Sequence, residues 1–241
     1  MELRPLSEPG HYEPGAFLGN GALGYVYQAR DTRMGRDVAI KVMRQPLTDQ
    51  FEREARSSTA LNHPNICTLY EVGPNYLVME LTEGPTRDER IRQGALPLDE
   101  AISIAKQIAS ALEAAHDKGI LHRNLNPAKV SIRPDGLVKV RGFGLAPDSL
   151  PWVIFGAQLY LSPERLYGEA LDQRADIWAF GFMLYEMVTG RRPFDGLPAL
   201  AGKEADLTRA PEKTRPLLSR CLQKDPQKRL RDIGDAMALL E

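Results

Sequence analysis

"LGNGALGYV", residues 18 to 26, is the stretch that decides the fold, because it places three glycines in a Gly-x-Gly-x-x-Gly pattern. Glycines are ordinary turn residues, so the pattern alone is a weak signal. Its surroundings are more informative. A dinucleotide-binding loop runs from a strand into a helix, whereas this loop runs into the strand-like stretch "YVYQAR", residues 25 to 30. The sequence therefore predicts a glycine-rich flap between two strands, whose backbone N–H groups can approach phosphate oxygens.

A lysine lies on the next predicted strand, "DVAIKVM", residues 37 to 43. Successive side chains of a strand point to opposite faces, so Ala39 and Lys41 share one face. The helix predicted at residues 48 to 61 carries Glu54. A lone lysine on a strand is usually solvated, but here we expect Glu54 to pair with Lys41 and to aim its ammonium at a phosphate.

The remaining pattern divides the chain into a strand-rich first part and a helix-rich second part. Strands are predicted at residues 66 to 72 and 76 to 80, and Thr48 is the expected N-cap of the helix before them. From Asp99 onwards apolar residues recur at helical spacing, and residues 175 to 190 are apolar on nearly all sides, which predicts a helix at the centre of its lobe. The expected architecture is a small β-rich lobe with one helix, followed by a larger α-helical lobe.

Composition and charge narrow the range of partners. The 241 residues are 43% hydrophobic, enough for a substantial core, and 31 basic against 32 acidic residues leave a net charge of -1. A balanced charge gives no reason to expect nucleic acid or an anionic membrane as the partner. Cys67 and Cys221 lie far apart and are expected at reduced core positions, and no apolar run reaches the ~18 residues of a membrane helix. We therefore expect a cytoplasmic protein, with no membrane segment in this chain.

The order of the motifs resembles that of one family. The glycine loop, "VAIK" and Glu54 are followed by "HRNLNPAKV" (122 to 130), "GFGLA" (142 to 146), "SPE" (162 to 164), "DIWAFG" (176 to 181) and "CLQKDPQKRL" (221 to 230). This series is similar to the signature of the eukaryotic-like serine/threonine protein kinases, in a bacterial style. The resemblance implies an α+β, bilobal, protein-kinase-like fold. We expect one domain over residues 10 to 241, with an N-lobe at 10 to 80, a C-lobe at 81 to 241 and an N-terminal extension at 1 to 9.

The positions that carry phosphoryl transfer in that family hold unsuitable residues here. The resemblance places Asn124 where an aspartate accepts the substrate proton, and Asn126 where a lysine contacts the transferring phosphate. It places Lys129 and Gly142 where two side chains bind magnesium. An amide is not a general base near neutral pH, and an ammonium repels a divalent cation. We therefore expect no functional catalytic residue and no magnesium, as in a degenerate kinase, or pseudokinase.

Some residues of this sequence favour nucleotide binding, and others oppose it. The resemblance assigns twelve residues to the cofactor site: Leu18, Gly19, Gly21, Gly24, Val26, Ala39, Lys41, Glu54, Met79, Glu80, Leu81 and Lys129. Against binding, Ser131 replaces an aliphatic residue under the adenine, and Ser58 replaces one behind the helix that carries Glu54. Lys129 could neutralise phosphate charge directly, so the predicted ATP binding would not require magnesium.

The segment between Gly144 and Ser162 has one serine and no threonine, so we do not expect switching by phosphorylation of this loop. The same segment contains Trp152, Ile154 and Phe155. These side chains either pack on the helical lobe or form a patch for protein binding or self-association.

Three functions remain open at this point. The leading one is a pseudokinase that acts as a scaffolding or nucleotide-sensing module. The second is a weak serine/threonine kinase or another ATP-dependent transferase, and the third is a structural domain with an occluded cleft. Whatever the activity, the resemblance implies a buried ion pair between Glu164 and Arg229 and an anchoring role for Asp176 beneath the catalytic loop.

Overall fold

The computed structural model describes residues 11–21, 23–82, 94–146, 157–194, 196 and 204–240. The first lobe is built on a five-stranded sheet of β1 (Tyr12–Gly21), β2 (Gly24–Asp31), β3 (Arg36–Met43), β4 (Leu69–Val72) and β5 (Tyr76–Glu80). The spatial order is β1-β2-β3-β5-β4, and each pair of neighbours is antiparallel. The predicted glycine flap is therefore confirmed as the turn between β1 and β2.

Helix α1 (Asp49–Ser58) packs on one face of this sheet. It begins as predicted, because the Thr48 hydroxyl accepts a hydrogen bond from the Phe51 N–H at 3.2 Å. Phe51 and Ala55 are buried against β4 and β5. The helix ends at Ser58 and not at Leu61, because Thr59, Ala60 and Leu61 donate to carbonyls three residues back and form a tightening turn.

The alternation of β3 is confirmed. Val38, Ile40 and Val42 belong to an apolar cluster on the sheet face opposite to α1. Val26 lies across from Lys41, and Ala39 lies across from Met79. Paired residues in antiparallel strands point to the same side, so these four side chains lie on the sheet face that carries α1.

The second lobe is mainly helical. Its helices are α2 (Leu98–His116), α3 (Pro163–Leu166), α4 (Arg174–Thr189), α5 (Arg215–Cys221) and α6 (Asp235–Ala238). Short 3₁₀ turns lie at Pro127–Lys129, Ala157–Tyr160, Leu207–Arg209, Glu212–Thr214 and Pro226–Lys228. A two-stranded ribbon, β6 (Val130–Ile132) and β7 (Val138–Val140), follows the first of these turns.

Helix α4 is the centre of the second lobe, as its apolar sequence predicts. Its residues 175 to 188 are all buried, and Gly190 ends it with φ of 66°, a left-handed conformation that favours glycine. Within the ranges given above, no helix is long and apolar enough to cross a membrane.

Residues 65 to 67 join the two lobes. Ile66 forms a parallel bridge with Val140, whose N–H donates to the Asn65 carbonyl and whose carbonyl accepts from the Cys67 N–H, both at 2.8 Å. The strand predicted at 66 to 72 therefore begins only at Leu69. Ile66, the first residue of the predicted strand, pairs instead with β7 of the other lobe.

A second link between the lobes starts at the end of β5. The Lys139 ammonium, on β7, lies 2.8 Å from Glu80 Oε1, and Glu80 Oε2 also accepts the Thr68 N–H at 3.1 Å. Lys139 is only 8% exposed, so this ion pair is shielded from water.

The predicted pair between Glu164 and Arg229 is confirmed. Two parallel hydrogen bonds of 2.7 and 3.1 Å connect the guanidinium and the carboxylate, and both residues are buried. Arg229 also donates to the Arg174 carbonyl at 2.7 Å, which ties the end of the chain to the start of α4.

Candidate functional site

Asp176, on α4, holds the loop that follows α2. Its carboxylate accepts the His122 N–H at 2.8 Å and the Arg123 N–H at 2.7 Å, and it lies 2.9 Å from His116 Nε2. Burial opposes its charge, but these hydrogen bonds hold the pKa of Asp176 below its usual range. Arg123 takes a left-handed φ of 62°, uncommon for a residue with a side chain. The anchoring role predicted for Asp176 is confirmed.

His122 is a structural residue of this loop. It is fully buried, and burial lowers the pKa of its imidazole to about 4, so the ring is neutral at pH 7. Its Nδ1 accepts the Asn124 N–H at 3.2 Å, which leaves Nε2 to donate to the Arg141 carbonyl at 3.1 Å. The ring therefore joins the loop to the segment after β7 and does not face a substrate.

Asn124 and Asn126 use their amides to shape the same loop. The Asn126 Oδ1 accepts the Ala128 N–H at 3.1 Å, and its Nδ2 donates to the Asn124 carbonyl at 2.9 Å. Asn126 is 5% exposed and caps the 3₁₀ turn that starts at Pro127. The sequence placed Asn126 at a phosphate contact but did not suggest this capping role, although Asn before Pro is a known turn signal.

Lys129 and Gly142 lie side by side where the resemblance expects a metal. Gly142 has φ of 97°, and a Cβ built on it would lie 3.8 Å from the Lys129 Nζ. An ammonium therefore stands beside the position from which a carboxylate at residue 142 would extend. Burial and then the charge of Arg141 lower the pKa of Lys129 to about 8. The Lys129 ammonium repels a divalent cation and Gly142 has no side-chain oxygen, so these two positions do not fit Mg²⁺.

The pairing predicted for Lys41 is wrong. Glu54 Oε2 lies 2.6 Å from Arg123 Nη1, and in the described part of the chain no carboxylate lies within 4.0 Å of the Lys41 ammonium. The reason is the close approach of α1 to Gly144, where an added Cβ would collide with the Ser58 hydroxyl and lie 3.1 Å from the Glu54 carbonyl oxygen. This approach brings Glu54 to the loop that carries Arg123.

Among the described residues, Lys41 faces a second cation and no anion. Burial and then the charge of Lys129 lower the pKa of Lys41 to about 7. Arg141, whose guanidinium donates to the Ala128 carbonyl at 2.8 Å, adds a third positive charge close to Lys129. We call Lys41, Lys129 and Arg141 the cationic cluster. None of the three forms an ion pair with another residue of the described ranges.

The two serines singled out by the sequence are both buried in the interior. Ser131, on β6, is 1% exposed, and its hydroxyl lies 3.5 Å from the Lys139 carbonyl. Ser58 donates to the Glu54 carbonyl at 3.2 Å. It lines a small cavity with Leu61, Ile66, Cys67, Leu69, Met79, Gly142, Phe143 and Leu145. A shorter side chain at position 58 therefore coincides with unfilled space behind α1.

The other residues assigned to the cofactor site lie around this face. Leu18 is exposed on β1, Ala39 is buried on β3, and Val26, Glu80 and Leu81 are half-buried. At Gly24 a Cβ would collide with the Val42 carbonyl, so only glycine fits the close contact between β2 and β3. Trp152, Ile154 and Phe155 lie outside the described residues.

Sequence comparison decides the family. The model of the protein kinase domain matches residues 12–239. This chain belongs to the protein kinase domain family. Among curated relatives, the serine/threonine-protein kinase PknB of Mycobacterium leprae is 39% identical over 207 residues, and a probable serine/threonine-protein kinase of Streptomyces coelicolor is 40% identical over 210. These alignments cover 77% and 78% of this kinase-family chain, but only 33% and 31% of the relatives.

The fold agrees with that assignment. The kinase domain of Mycobacterium tuberculosis PknI superposes with a TM-score of 0.80 at 25% identity, covering 95% of each chain. The chain thus has the bilobal kinase fold, with a sheet-rich N-lobe and a helical C-lobe, and spans about a third of the length of the curated relatives it matches.

Proposed function

We propose that this kinase-family domain is catalytically impaired and serves as a signalling or scaffolding module whose cleft takes ATP without requiring magnesium. The observation that carries the proposal is the Lys129 ammonium, 3.8 Å from where a Cβ on Gly142 would lie. A positive side chain in this place supports direct neutralisation of phosphate charge.

Impaired transfer follows from the chemistry of the replaced positions. Phosphoryl transfer depends on positioning and on stabilisation of charge by metal ions and cations. Asn124 cannot accept a proton near neutral pH, and Gly142 has no ligand atom. Single electrostatic contributors are worth about 10²–10³ in rate, so loss of the base and both metal ligands predicts a loss of many powers of ten.

Binding of ATP would use groups that remain in place. Lys41 and Lys129 would hold the phosphates, and the glycine flap could add backbone N–H donors. Val26, Ala39 and Met79 lie on the same sheet face as Lys41 and could contact the nucleoside. ATP would supply no group transfer here, and its occupancy would stabilise the two lobes against each other.

A thermal-shift titration with ATP, in excess EDTA and in magnesium, tests this function. We expect stabilisation in EDTA for the unmodified protein, and at least a tenfold weaker response for Lys129→Met. Lys228→Met, which removes an exposed lysine far along the chain, is the matched control. Stabilisation that appears only with magnesium would contradict the proposal, and no shift at millimolar ATP would favour an occluded cleft.

An active kinase is the second candidate, because the relatives are named serine/threonine kinases and because Asp176 still orders the loop around Asn124. Incubation with ATP and protein substrates, followed by mass spectrometry, separates the two functions. A binding module adds no mass to any substrate. Phosphate transfer that is lost in Lys41→Met but kept in Lys228→Met would establish the kinase instead.

Trp152, Ile154 and Phe155 are our proposed contact to a protein partner, and we propose that this occurs in the cytoplasm. Three large apolar side chains in five residues of a polar chain support this role. Replacing Trp152 and Phe155 with serine should weaken self-association in ultracentrifugation or capture of a partner. Unchanged assembly of a folded variant would exclude the patch.

A further inference from the structure

The cationic cluster concentrates positive charge at one end of the cleft. Lys41 and Lys129 are half-buried, each lies close enough to another cation to have its pKa lowered, and neither has an ion-pair partner among the described residues. Cations that are partly withdrawn from water, and that have no ion-pair partner among the described residues, favour the binding of an external anion.

We propose that the cationic cluster binds a metal-free oligophosphate chain, whether or not a nucleoside is attached to it. The nucleoside then adds little to the affinity, and magnesium lowers the affinity by binding the phosphates. The inference deepens the proposed function and rests on it, since both place the ligand in the same cleft.

The chemistry of the cluster favours a chain of phosphates over a single anion. Lys41 lies on β3 in the N-lobe, whereas Lys129 and Arg141 flank the β6–β7 ribbon in the C-lobe. A ligand that contacts all three is favoured when it carries several linked negative charges. Linked phosphates do so, with many acceptor oxygens for ammonium and guanidinium groups.

Magnesium should oppose this binding for two reasons. Each Mg²⁺ bound to the chain cancels two of the negative charges that attract the cluster. The place beside Gly142 is taken by the Lys129 ammonium, so a metal carried on the phosphates would meet a like charge there. The free chain is therefore the better ligand.

The part of the cleft that would hold the nucleoside offers less binding energy than the cationic cluster. Ala39 is 6% exposed and Ser131 is 1% exposed, so little of either surface is open to a base. The Ser131 hydroxyl also lies 3.5 Å from the Lys139 carbonyl. Apolar contact contributes in proportion to the area removed from water, so Ala39 and Ser131 add little, and the half-buried Val26 and Met79 are the main apolar surface left for a base.

Isothermal titration of the full chain with tripolyphosphate, ATP and adenosine in EDTA tests the proposal. We expect tripolyphosphate to bind within about fivefold of ATP and adenosine to show no heat of binding at millimolar concentration. Saturating magnesium should weaken ATP and tripolyphosphate at least tenfold. Lys129→Met and Lys41→Met should each weaken tripolyphosphate at least tenfold, whereas Lys129→Arg should retain most of the affinity and Lys228→Met all of it.

The outcomes separate this inference from the function on which it rests. If ATP binds in EDTA and tripolyphosphate does not, the inference is wrong and the proposed function stands. If magnesium strengthens binding, both fail. Equal binding of inorganic phosphate and tripolyphosphate would reduce the site to a single-anion site and would also overturn the inference. Circular dichroism of each variant ensures that lost binding is not lost folding.

Discussion

Glu54 is bound to Arg123, with 2.6 Å between Oε2 and Nη1, and this contact ties α1 to the loop held by Asp176. It also leaves Lys41 without the carboxylate that its position would share in the expected arrangement. Glu54 therefore does not neutralise Lys41, and the Lys129 ammonium lies next to Gly142. Both features make the cleft more positive.

Breaking the Glu54–Arg123 contact should loosen α1. Both side chains are about one quarter exposed, at 24% and 23%, so we expect a coupling of about 1 kcal/mol and not the larger value of a fully buried pair. Urea denaturation of Glu54→Gln, Arg123→Met and the double variant measures it. Strictly additive effects of the two changes would show that the contact contributes nothing.

The apo protein should gain stability as pH rises from about 7 to about 10. The pKa values of Lys41 and Lys129 are lowered to about 7 and about 8 by burial and by neighbouring cations. Unfolded lysines keep a pKa of about 10.4, so in this window the unfolded state binds more protons and is disfavoured as protons become scarce. Denaturation at several pH values measures the slope, which should flatten in Lys41→Met with Lys129→Met.

Anion binding should show the opposite dependence on pH. The ligand needs ammonium groups, so its affinity should fall as pH rises above the range of about 7 to 8. Titration calorimetry in buffers of different ionisation enthalpy should detect proton uptake on binding near pH 8. Binding without proton exchange and independent of pH between 6.5 and about 9 would contradict the role of these lysines.

Restoring an acid at position 142 alone should not restore magnesium binding. In Gly142→Asp the new carboxylate would extend beside the Lys129 ammonium and pair with it, which should lower the affinity for anions. The φ of 97° adds a strain of about 1–3 kcal/mol for a residue with a Cβ. Thermal shifts with magnesium, ATP and tripolyphosphate test this. A magnesium response would be expected only when Lys129→Asn accompanies Gly142→Asp.

Lys139→Met should weaken the connection between the lobes and leave phosphate binding in place. Breaking a shielded pair leaves Glu80 without its cation, so we expect a loss of about 2 kcal/mol of unfolding free energy. Chemical denaturation compares this variant with Lys228→Met. If tripolyphosphate affinity falls as much as stability does, the Lys139 ammonium belongs functionally to the cationic cluster.

Much of the fold could be predicted from local pattern. Alternation placed the faces of β3, and all-round apolarity placed α4 at the centre of its lobe. The misses depend on contacts between distant residues. Ile66 looks like part of a strand but pairs with Val140, 74 positions later. Hydrophobic period cannot name the partner strand.

At the site, the sequence identifies each replaced side chain but does not predict which side chains lie next to it. That Lys129 stands beside Gly142 could be proposed from their roles in the family. The choice of Glu54 between Lys41 and Arg123 could not, because it depends on how closely α1 approaches Gly144 and on the reach of long side chains. Asn126 likewise looked like a lost phosphate contact and also serves as a cap.

The ion pair between Glu164 and Arg229 has a consequence for the time at which the larger lobe can form. Arg229 is the partner of both Glu164 and the Arg174 carbonyl at the start of α4, and it is synthesised 65 residues after Glu164. While the ribosome is still adding those residues, the centre of the lobe holds an unmatched negative charge. Completion of the domain is therefore delayed until nearly the whole stretch up to Arg229 has left the exit tunnel, and a nascent chain halted shortly before that point should remain open to proteases and chaperones.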